Sequence, residues 1–540
     1  MSHSLELIGR VVGEASPEKF TFVVPKDKHP PKYEYIVISS QELVRGSIRK
    51  VSVLAQVVGV VSRSTVYSED LDYRAVERIH SVGIDYANVL CLAKTLGFMI
   101  NENGRKVILM PRRAIYPGNP VYLAPDELVE EFFSYPEEEG LHIGYLVSRP
   151  RIKVHLSVNG FRRHVAIIAQ TGAGKSYTVG VLLEELLKKG ATAMVIDPHA
   201  DYVFLSRKRD GSRYEYWDRI QVFRNPNSTG RYSSRDIDNL KELTFRFSEL
   251  DPEDIARIAG ISERYTNIRR AISKAIDMLR EDESKGGTYG LGDLLDTLEK
   301  MSEEGGDRAM GAAAMRAIAY VSRLKKFKVF GDRTTSINDI VKPFNVSVID
   351  LSGLNDASQD YIVSRVLEGI MNLRTSGDFR WPVFVFIEEA HKFIPNKSSG
   401  KRTLSAPIIN SIAAEGRKFG VFLTLITQRP SKVDSDSLSQ CNSQIILKIT
   451  NPKDQSAVQE ASERLGSDLM NDLPGLNVGE AIIMGELTRV PIMVRIRERI
   501  TAEGGGDIDL VQELKRAREE LKIPVELKVA APRDSLFSEV

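Results

Sequence analysis

The eight residues from Ala169 to Ser176 form a pattern that could bind a triphosphate. They read Ala-Gln-Thr-Gly-Ala-Gly-Lys-Ser, and Ala169 stands where the usual G-x-x-x-x-G-K-S/T pattern begins with glycine. Small residues let successive backbone N–H groups approach a phosphate, and a helix after the loop adds the positive end of its dipole. The pattern therefore predicts a nucleoside triphosphate site.

Two side chains of this loop have separate expected roles. Lys175 would supply charge to the β- and γ-phosphates, and the hydroxyl group of Ser176 is placed to ligate Mg²⁺. The residues expected to contact the nucleotide are consecutive: Gln170, Thr171, Gly172, Ala173, Gly174, Lys175, Ser176 and Tyr177.

Two adjacent carboxylates follow the apolar run from Val383 to Ile387. Such a run is typical of a buried parallel strand, and ligands of parallel sheets bind at the carboxyl ends of the strands. We expect Glu388 to hold Mg²⁺ through water, and Glu389 to orient the attacking water or accept its proton. This is a Walker B arrangement with glutamate instead of aspartate in the first place.

Polar groups also follow two other predicted strands. After the run from Val421 to Ile426, the amide of Gln428 could hydrogen-bond the γ-phosphate or the lytic water and so sense hydrolysis. Asp197 and Asp201 follow the strand from Ala193 to Ile196, without a precise role.

Arg417 is our candidate for a cation that a neighbouring subunit inserts beside the γ-phosphate, with Arg429 in reserve. It lies at a predicted helix end just before the sensor strand. Neutralisation of the negative end of that helix is the alternative interpretation of Arg417.

The segment from Ala390 to Ala414 contains no acidic residue, although it is rich in basic ones. The residues expected to contact a polyanion are Lys392, Lys397, Lys401 and Arg402. Lysines on a loop contact phosphates without reading sequence, so binding there would be non-specific and weakened by salt. A solvated surface loop is the alternative interpretation.

These groups need a sheet that places them side by side. Apolar strands alternate with helical segments, which predicts an α/β fold with a RecA-like P-loop ATPase core. The predicted strands are 165–168, 193–196, 346–351, 383–387, 421–426 and 443–449, with a closing hairpin at 481–484 and 490–495.

Four regions are predicted along the chain. They are an N-terminal small β-barrel module in residues 1–140, the ATPase core in 141–234 and 331–500, a helical insertion in 235–330, and a C-terminal helix and tail in 501–540. Within the barrel module we expect a helical stretch near Asp70 to Leu96. The insertion could be a lever or partner surface, or a bundle that completes the core. Gly504 to Gly506 are interpreted as a hinge.

Composition narrows the class of protein further. The 540 residues carry a net charge of +1 from 74 basic and 73 acidic side chains, so any surface for a polyanion must be local. No apolar stretch is long enough to span a membrane and the N-terminus lacks a signal pattern, so we expect a cytoplasmic protein without a membrane partner. The two cysteines, Cys91 and Cys441, exclude a disulfide scaffold and are expected to be buried.

In content and order, these blocks resemble the HerA and FtsK superfamily of DNA translocases, and archaeal HerA most closely. The blocks are the N-terminal barrel, Thr171 to Ser176, Asp197 to Tyr202, Ile387 to His391 and Thr427 to Pro430. The resemblance implies a homohexameric ring around double-stranded DNA, with ATP and Mg²⁺ between subunits. It also implies a barrel of the HAS type that docks a NurA-type nuclease for DNA end resection in recombinational repair.

The resemblance assigns roles to single residues as well. Lys175 and Ser176 would bind nucleotide and Mg²⁺, Glu389 would be the catalytic carboxylate, Gln428 the sensor and Arg417 the finger in trans. A ring ATPase that moves protein, as related secretion ATPases do, is the alternative hypothesis. A GTPase switch is a third, based on the segment from Asn451 to Asp454, whose lysine is one place late for a guanine-reading motif.

Overall fold

The protein is described here by a computed structural model that covers residues 5–64, 66–83, 87–102, 105–282, 288–303, 307–462, 466–505 and 510–521. These residues form two β-sheets with flanking helices. Within the predicted C-terminal helix and tail, residues 506–509 and 522–540 lie outside them. The domain boundaries stay predictions.

The N-terminal strands form a small closed barrel, which confirms that part of the predicted fold. Its strands are β1 (Leu7–Ala15), β2 (Lys19–Val24), β3 (Tyr35–Val44), β4 (Ser47–Ser64), β5 (Ala87–Glu102), β6 (Arg105–Leu109) and β7 (Pro120–Leu123). They follow the order β2-β1-β7-β3-β4-β5-β6, and antiparallel pairing of β2 with β5 closes six of them into a ring. A closed ring leaves no open strand edge between its members.

The helical stretch expected from Asp70 to Leu96 is only partly present, and this prediction was wrong for its second half. Helix α1 spans Tyr73–Ser81, whereas the residues from Ala87 onward belong to β5. Val89, Cys91 and Ala93 alternate into the barrel interior, and β5 pairs with both β2 and β4. Pairing with two strands outweighs the weak local preference of this stretch.

The second sheet has twelve strands and is mixed, with both parallel and antiparallel pairs. Its strands are β8 (Gly140–Leu146), β9 (Lys153–Ser157), β10 (Val165–Ile168), β11 (Thr192–Asp197), β12 (Ile220–Arg224), β13 (Leu240–Glu242), β14 (Val346–Asp350), β15 (Val383–Ile387), β16 (Val421–Thr427), β17 (Ser443–Ile446), β18 (Glu480–Met484) and β19 (Ile492–Ile496). Their order is β13-β12-β14-β11-β15-β16-β10-β17-β18-β19-β8-β9. The strands from β13 to β17 in this order pair in parallel, and the remainder pair antiparallel. The predicted P-loop ATPase core and its closing hairpin are thereby confirmed.

Apolar side chains on both faces of the sheet explain why its strands are continuous hydrophobic runs. In β10, Ala166 and Ile168 belong to one core, whereas Val165 and Ile167 belong to the core on the opposite face. Strand β16 lies between β10 and β15. The carboxyl ends of these three strands therefore bring the phosphate-binding loop, the two glutamates and Gln428 to one edge.

The described residues also form helices, and apolar residues of several of them belong to the cores on the two faces of this sheet. Besides α1, the helices are α2 (Asp126–Phe133), α3 (Lys175–Lys188), α4 (Pro252–Ile258), α5 (Thr266–Glu281), α6 (Leu291–Glu303), α7 (Arg308–Val321), α8 (Ile337–Ile340), α9 (Asp356–Ser376), α10 (Ala390–Phe393), α11 (Ala406–Phe419), α12 (Ser435–Ser439), α13 (Pro452–Glu460), α14 (Ser467–Met470) and α15 (Leu510–Leu521). Helices α4 to α7 form the predicted helical insertion. The short strand β13 lies in this region as well, although the sequence predicted no strand there.

Two further expectations concern single features. Cys91 and Cys441 are both buried, as expected, and burial raises the pKa of their thiols to about 11 and about 12. Within the part of the chain that the structure describes, no helix is both long and apolar enough to cross a membrane.

His164 predicts a pH dependence of stability. It is buried at the entrance to β10, and its Nδ1 accepts a hydrogen bond from the Leu423 N–H at 2.9 Å. Burial lowers the pKa of His164 from 6.5 to about 4. As pH falls from 6.5 toward 4, the unfolded chain gains a proton here that the folded chain does not accept, so stability is lost over that window.

We expect this residue to contribute a loss of about 2 kcal/mol between pH 6.5 and about pH 5. Unfolding by guanidinium at a series of pH values measures it: the decline should be smaller by that amount in His164→Gln. His29→Gln, at an exposed histidine, is the control and should retain the wild-type decline. Parallel pH profiles for wild type and His164→Gln would contradict the assignment.

Candidate functional site

The phosphate-binding loop connects the end of β10 to the start of α3. Gly172 and Gly174 have φ angles of 77° and 97°, in the left-handed region that glycine adopts without strain. Ala169 is buried and its N–H donates to the Thr427 carbonyl oxygen at 3.3 Å. An alanine side chain is thus accommodated at this position, and the departure from the usual pattern leaves the loop intact.

Lys175 contacts both carboxylates at the end of β15, although β16 lies between β10 and β15. Its Nζ contacts Glu388 Oε1 and lies 3.0 Å from Glu389 Oε1. Burial lowers the pKa of Lys175, but the charges of Glu388 and Glu389 outweigh burial and raise the pKa above its usual value. The lysine is therefore protonated where a phosphate group would be bound.

Glu388 is fully buried and fixed at both oxygens. Its Oε2 accepts a hydrogen bond from the Tyr202 hydroxyl group at 3.1 Å, while Oε1 contacts Lys175. Tyr202 belongs to the turn after β11. Asp197 holds that turn, because its carboxylate accepts the backbone N–H groups of Asp201 and Tyr202 at 3.0 and 2.9 Å.

Glu389 differs from its neighbour in backbone and environment. Its φ of 51° places a residue other than glycine in the left-handed region, which is uncommon and occurs at functional sites. Burial raises the pKa of Glu389, but His391 and Lys175 outweigh burial and lower it to about 2, so the carboxylate is ionised at neutral pH. His391 Nδ1 lies 3.1 Å from Glu389 Oε2 and 3.3 Å from Thr427 Oγ1.

Hydrogen bonds connect the loop to the end of β16 and to the segment after β17. The Thr171 hydroxyl group donates to Gln428 Oε1 at 2.5 Å, which brings the predicted sensor to the loop. Gln170 Oε1 accepts the N–H and hydroxyl groups of Thr450 at 3.2 and 2.9 Å. The neighbouring Asn451 caps α13 through the N–H of Lys453, so it acts as a helix cap in the segment that resembles a guanine-reading motif.

Ser176 and Asp201 form a second polar pair beside Lys175. The Ser176 hydroxyl group donates to Asp201 Oδ2 at 2.7 Å. A hydroxyl and a carboxylate oxygen at this distance are hard donors of the kind that Mg²⁺ takes. The sequence assigned no precise role to Asp201. Its contact with Ser176 makes it a candidate ligand for the same ion.

A cleft of about 880 Å³ lies beside the phosphate-binding loop, and the groups described above that line it are Gln170, Thr171, Gly172, Gly174, Lys175, Ser176, Asp201, Glu389 and Gln428. Its walls also include residues distant in sequence that the motifs did not identify: Arg231, Val478, Arg495, Glu498, Glu503, Gly504 and Gly505. The last two belong to the predicted hinge from Gly504 to Gly506, of which Gly506 lies outside the described residues. Their distance in sequence from every motif left no signal that they reach the cleft.

The remaining predicted residues lie outside this cleft or at its margin. Arg417 and Arg429 are exposed, the former in the last turn of α11 and the latter directly after Gln428.

In the predicted basic loop, Lys401 and Arg402 are both exposed, whereas Lys397 contacts Asp436 at 2.5 Å and Asp434 at 3.6 Å. The loop has no acidic residue of its own, but the folded chain brings Asp434 and Asp436 next to its Lys397. Lys392 is half-buried on α10. The pKa of His199, which lines the cleft, is lowered mainly by the burial of His199 and next by the charge of Lys392.

Comparison of the sequence with known proteins identifies one family. A family model described as the central domain of the helicase HerA matches residues 141–370. The chain is 32% identical to the DNA double-strand break repair helicase HerA of Pyrococcus furiosus, over 91% of this chain and 92% of that protein. It is 30% identical to a probable helicase of Methanocaldococcus jannaschii, over 94% of each chain. The solved structure of VirB4 from Thermoanaerobacter pseudethanolicus aligns with a TM-score of 0.48 at 15% identity, covering 68% of this chain and 98% of that one.

The hydrogen bond between Tyr202 and Glu388 predicts that removing the tyrosine hydroxyl group lowers the stability of the fold. In Tyr202→Phe, a fully buried carboxylate oxygen loses its donor, which should reduce the free energy of unfolding by about 1–3 kcal/mol. Guanidinium unfolding measures the change. Tyr73→Phe, at a tyrosine that is 76% exposed, should have no measurable effect. Equal stability of the two variants would contradict the proposed function of this hydrogen bond.

Proposed function

The chain belongs to the HerA helicase family, and we propose that its ATPase activity drives movement along double-stranded DNA. The observation that carries the proposal is the position of Lys175 between Glu388 and Glu389, with Gln428 hydrogen-bonded to the same loop. A movable charge, an ionised carboxylate and a sensor amide then surround one phosphate position. These are the groups that phosphoryl transfer to water requires.

We propose the following division of work during hydrolysis. Lys175 transfers its contacts from the carboxylates to the β- and γ-phosphates, and this leaves Glu389 to orient the attacking water. Gln428 contacts the γ-phosphate or that water and, through Thr171 and the end of β16, transmits whether the phosphate is present. Glu388, fixed by Tyr202, keeps the local charge balance around the lysine.

The residues fit a magnesium ion. Ser176 and Asp201 would hold it or its water ligands, with Glu388 on the adjacent strand end, and Mg²⁺ usually takes one or two carboxylates together with water and substrate phosphates. When bound, the ion neutralises charge on the β- and γ-phosphates. The sequence assigned this role to Ser176 and Glu388. Asp201 joins them because it is hydrogen-bonded to Ser176.

A homohexameric ring is our proposal for the assembly, with Arg417 of one subunit completing the site of its neighbour. Its exposure at the end of α11 leaves the guanidinium available for such a contact.

The family resemblance also supports a NurA-type nuclease as partner, docked on the barrel and acting with this motor in DNA end resection. Lys392, Lys397, Lys401 and Arg402 are the proposed contacts to DNA phosphates.

Two substitutions test the ATPase site. Glu389→Gln should bind ATP normally but lower kcat by about 10²- to 10⁴-fold, because the water loses its carboxylate. Lys175→Ala should lose ATP binding as well. Steady-state hydrolysis with and without duplex DNA, together with equilibrium nucleotide binding, measures both. Glu299→Gln, at an exposed glutamate on α6, is the control. Wild-type hydrolysis without stimulation by duplex DNA would count against the proposed substrate.

The basic loop can be tested through salt dependence. The double substitution Lys401→Ala and Arg402→Ala should reduce the slope of log affinity against log salt by about 0.9 for each DNA phosphate that the loop no longer neutralises. Lys397→Ala should change the slope less, because Lys397 is paired with Asp434 and Asp436. The exposed Lys300→Ala is the control. If the double variant binds DNA with unchanged affinity and slope, a motor that moves protein becomes the better hypothesis.

A further inference from the structure

The nine residues from Arg497 to Gly505, here called the strap, follow β19 and pack along α3 between Ser176 and Glu185. Glu184, a buried residue of α3, anchors the strap. Its Oε1 accepts the backbone N–H groups of Ile500 and Thr501 at 2.8 and 2.7 Å and the Thr501 hydroxyl group at 2.9 Å. The Ala502 N–H donates to the Arg207 carbonyl oxygen at 2.7 Å. The strap is thus fixed to α3 and to Arg207, which follows the turn that contains Asp201.

Arg499 connects the strap to the phosphate-binding loop. Its side chain is fully buried in a notch at Gly180, where an added Cβ would lie 2.3 Å from the arginine Nε. Nη1 donates to the carbonyl oxygen of Ser176 at 3.4 Å, and the backbone N–H donates to the Tyr177 hydroxyl group at 2.7 Å. A buried guanidinium is costly to desolvate, so its carbonyl and carboxylate partners must offset that cost.

The glycine pair at the end of the strap approaches Asp201 closely. The Gly504 N–H donates to the Asp201 carbonyl oxygen at 3.0 Å, and an added Cβ on Gly504 would lie 1.9 Å from the carbonyl oxygen of Ala200. Gly505 has a φ of 62°, and a Cβ there would lie 1.9 Å from Asp201 Oδ1. The other carboxylate oxygen, Oδ2, accepts the Ser176 hydroxyl group. Glycine is therefore required at both positions for the carboxylate to occupy its place.

We propose that the strap positions the Ser176 hydroxyl group and the Asp201 carboxylate for the magnesium ion of the nucleotide, with Arg499 and Gly505 as the positioning residues. The inference rests on the proposed function, since it takes this cleft to be the ATP site. Mg²⁺ requires ligand distances of about 2.0–2.1 Å in near-octahedral geometry, so a displaced carboxylate no longer reaches the ion or its water. The strap touches Ser176 through Arg499 and touches Asp201 through the glycine pair.

A second arginine of the strap provides a matched control. Arg497 is also buried, but its partners are Glu184, Glu185 and the carbonyl oxygens of His142 and Glu498. Among the residues that the structure describes, none of these partners is Ser176, Asp201 or part of the phosphate-binding loop. If the strap only stabilised the fold, substitutions at Arg497 and Arg499 would act alike.

The test measures nucleotide binding, not hydrolysis, with the full chain and a fluorescent ATP analogue in EDTA and across a magnesium series. Gly505→Ala, Asp201→Asn and Arg499→Lys should each raise the Mg²⁺ concentration for half-maximal binding about tenfold, equivalent to about 1.4 kcal/mol. Affinity in EDTA should stay within about twofold of wild type, since the phosphate cradle is unchanged. Arg497→Lys should retain the wild-type magnesium dependence.

Two results would overturn the inference. One is wild-type magnesium dependence in Gly505→Ala, which adds a single methyl group next to Asp201 and leaves α3 and its core unaltered. The other is an equal shift in Arg497→Lys and Arg499→Lys. Failure of the wild-type chain to bind nucleotide in any condition would instead overturn the ATP site itself, and with it the strap's role. Thermal unfolding of each variant separates a local shift in Asp201 from loss of the fold.

Discussion

The site depends on one constraint: a buried lysine charge must be balanced at the junction of three parallel strands. Lys175 begins α3, directly after the loop that follows β10, and Glu388 and Glu389 lie where β15 ends, with β16 between the two strands. Bringing a lone ammonium group or a lone carboxylate into this interior would be costly, whereas the cluster keeps opposite charges in contact. The strand order is therefore part of the chemistry. It sets the separation at which one lysine can reach two carboxylates and still face a phosphate.

The same cluster gives two adjacent glutamates different properties. Glu388 is fully buried, and its two carboxylate oxygens contact Tyr202 and Lys175. Glu389 lines the cleft, with a left-handed backbone conformation that turns it away from the strand direction. The strain at that residue has a compensating gain, because it places an ionised carboxylate beside the loop. Environment, not residue type, separates an anchoring carboxylate from one available to water.

Local sequence predicted the groups whose function depends on position along one strand and loop. Gly172 and Gly174, the glutamate pair and Gln428 follow from spacing alone, because parallel strands deliver their ends to one edge. Prediction was less complete where contacts between residues distant in sequence determine the local conformation. The residues of β5 lack a strong local preference and take their conformation from two neighbouring strands. Gly504 and Gly505 lack side chains because they approach Asp201, which is far from them in sequence.

The helical insertion illustrates how packing limits an interpretation that sequence left open. The apolar face of α5, including Ile272 and Ile276, belongs to the same core as the sheet residues Ile349 and Val385. Arg365 of α9 also reaches Asp254 of α4 at 3.4 Å. A lever that swung independently would have to expose this shared core, at a cost of about 25 cal/mol for each Å² of apolar surface. The insertion therefore shares a core with one face of the sheet, and an independent swing would have to break that packing.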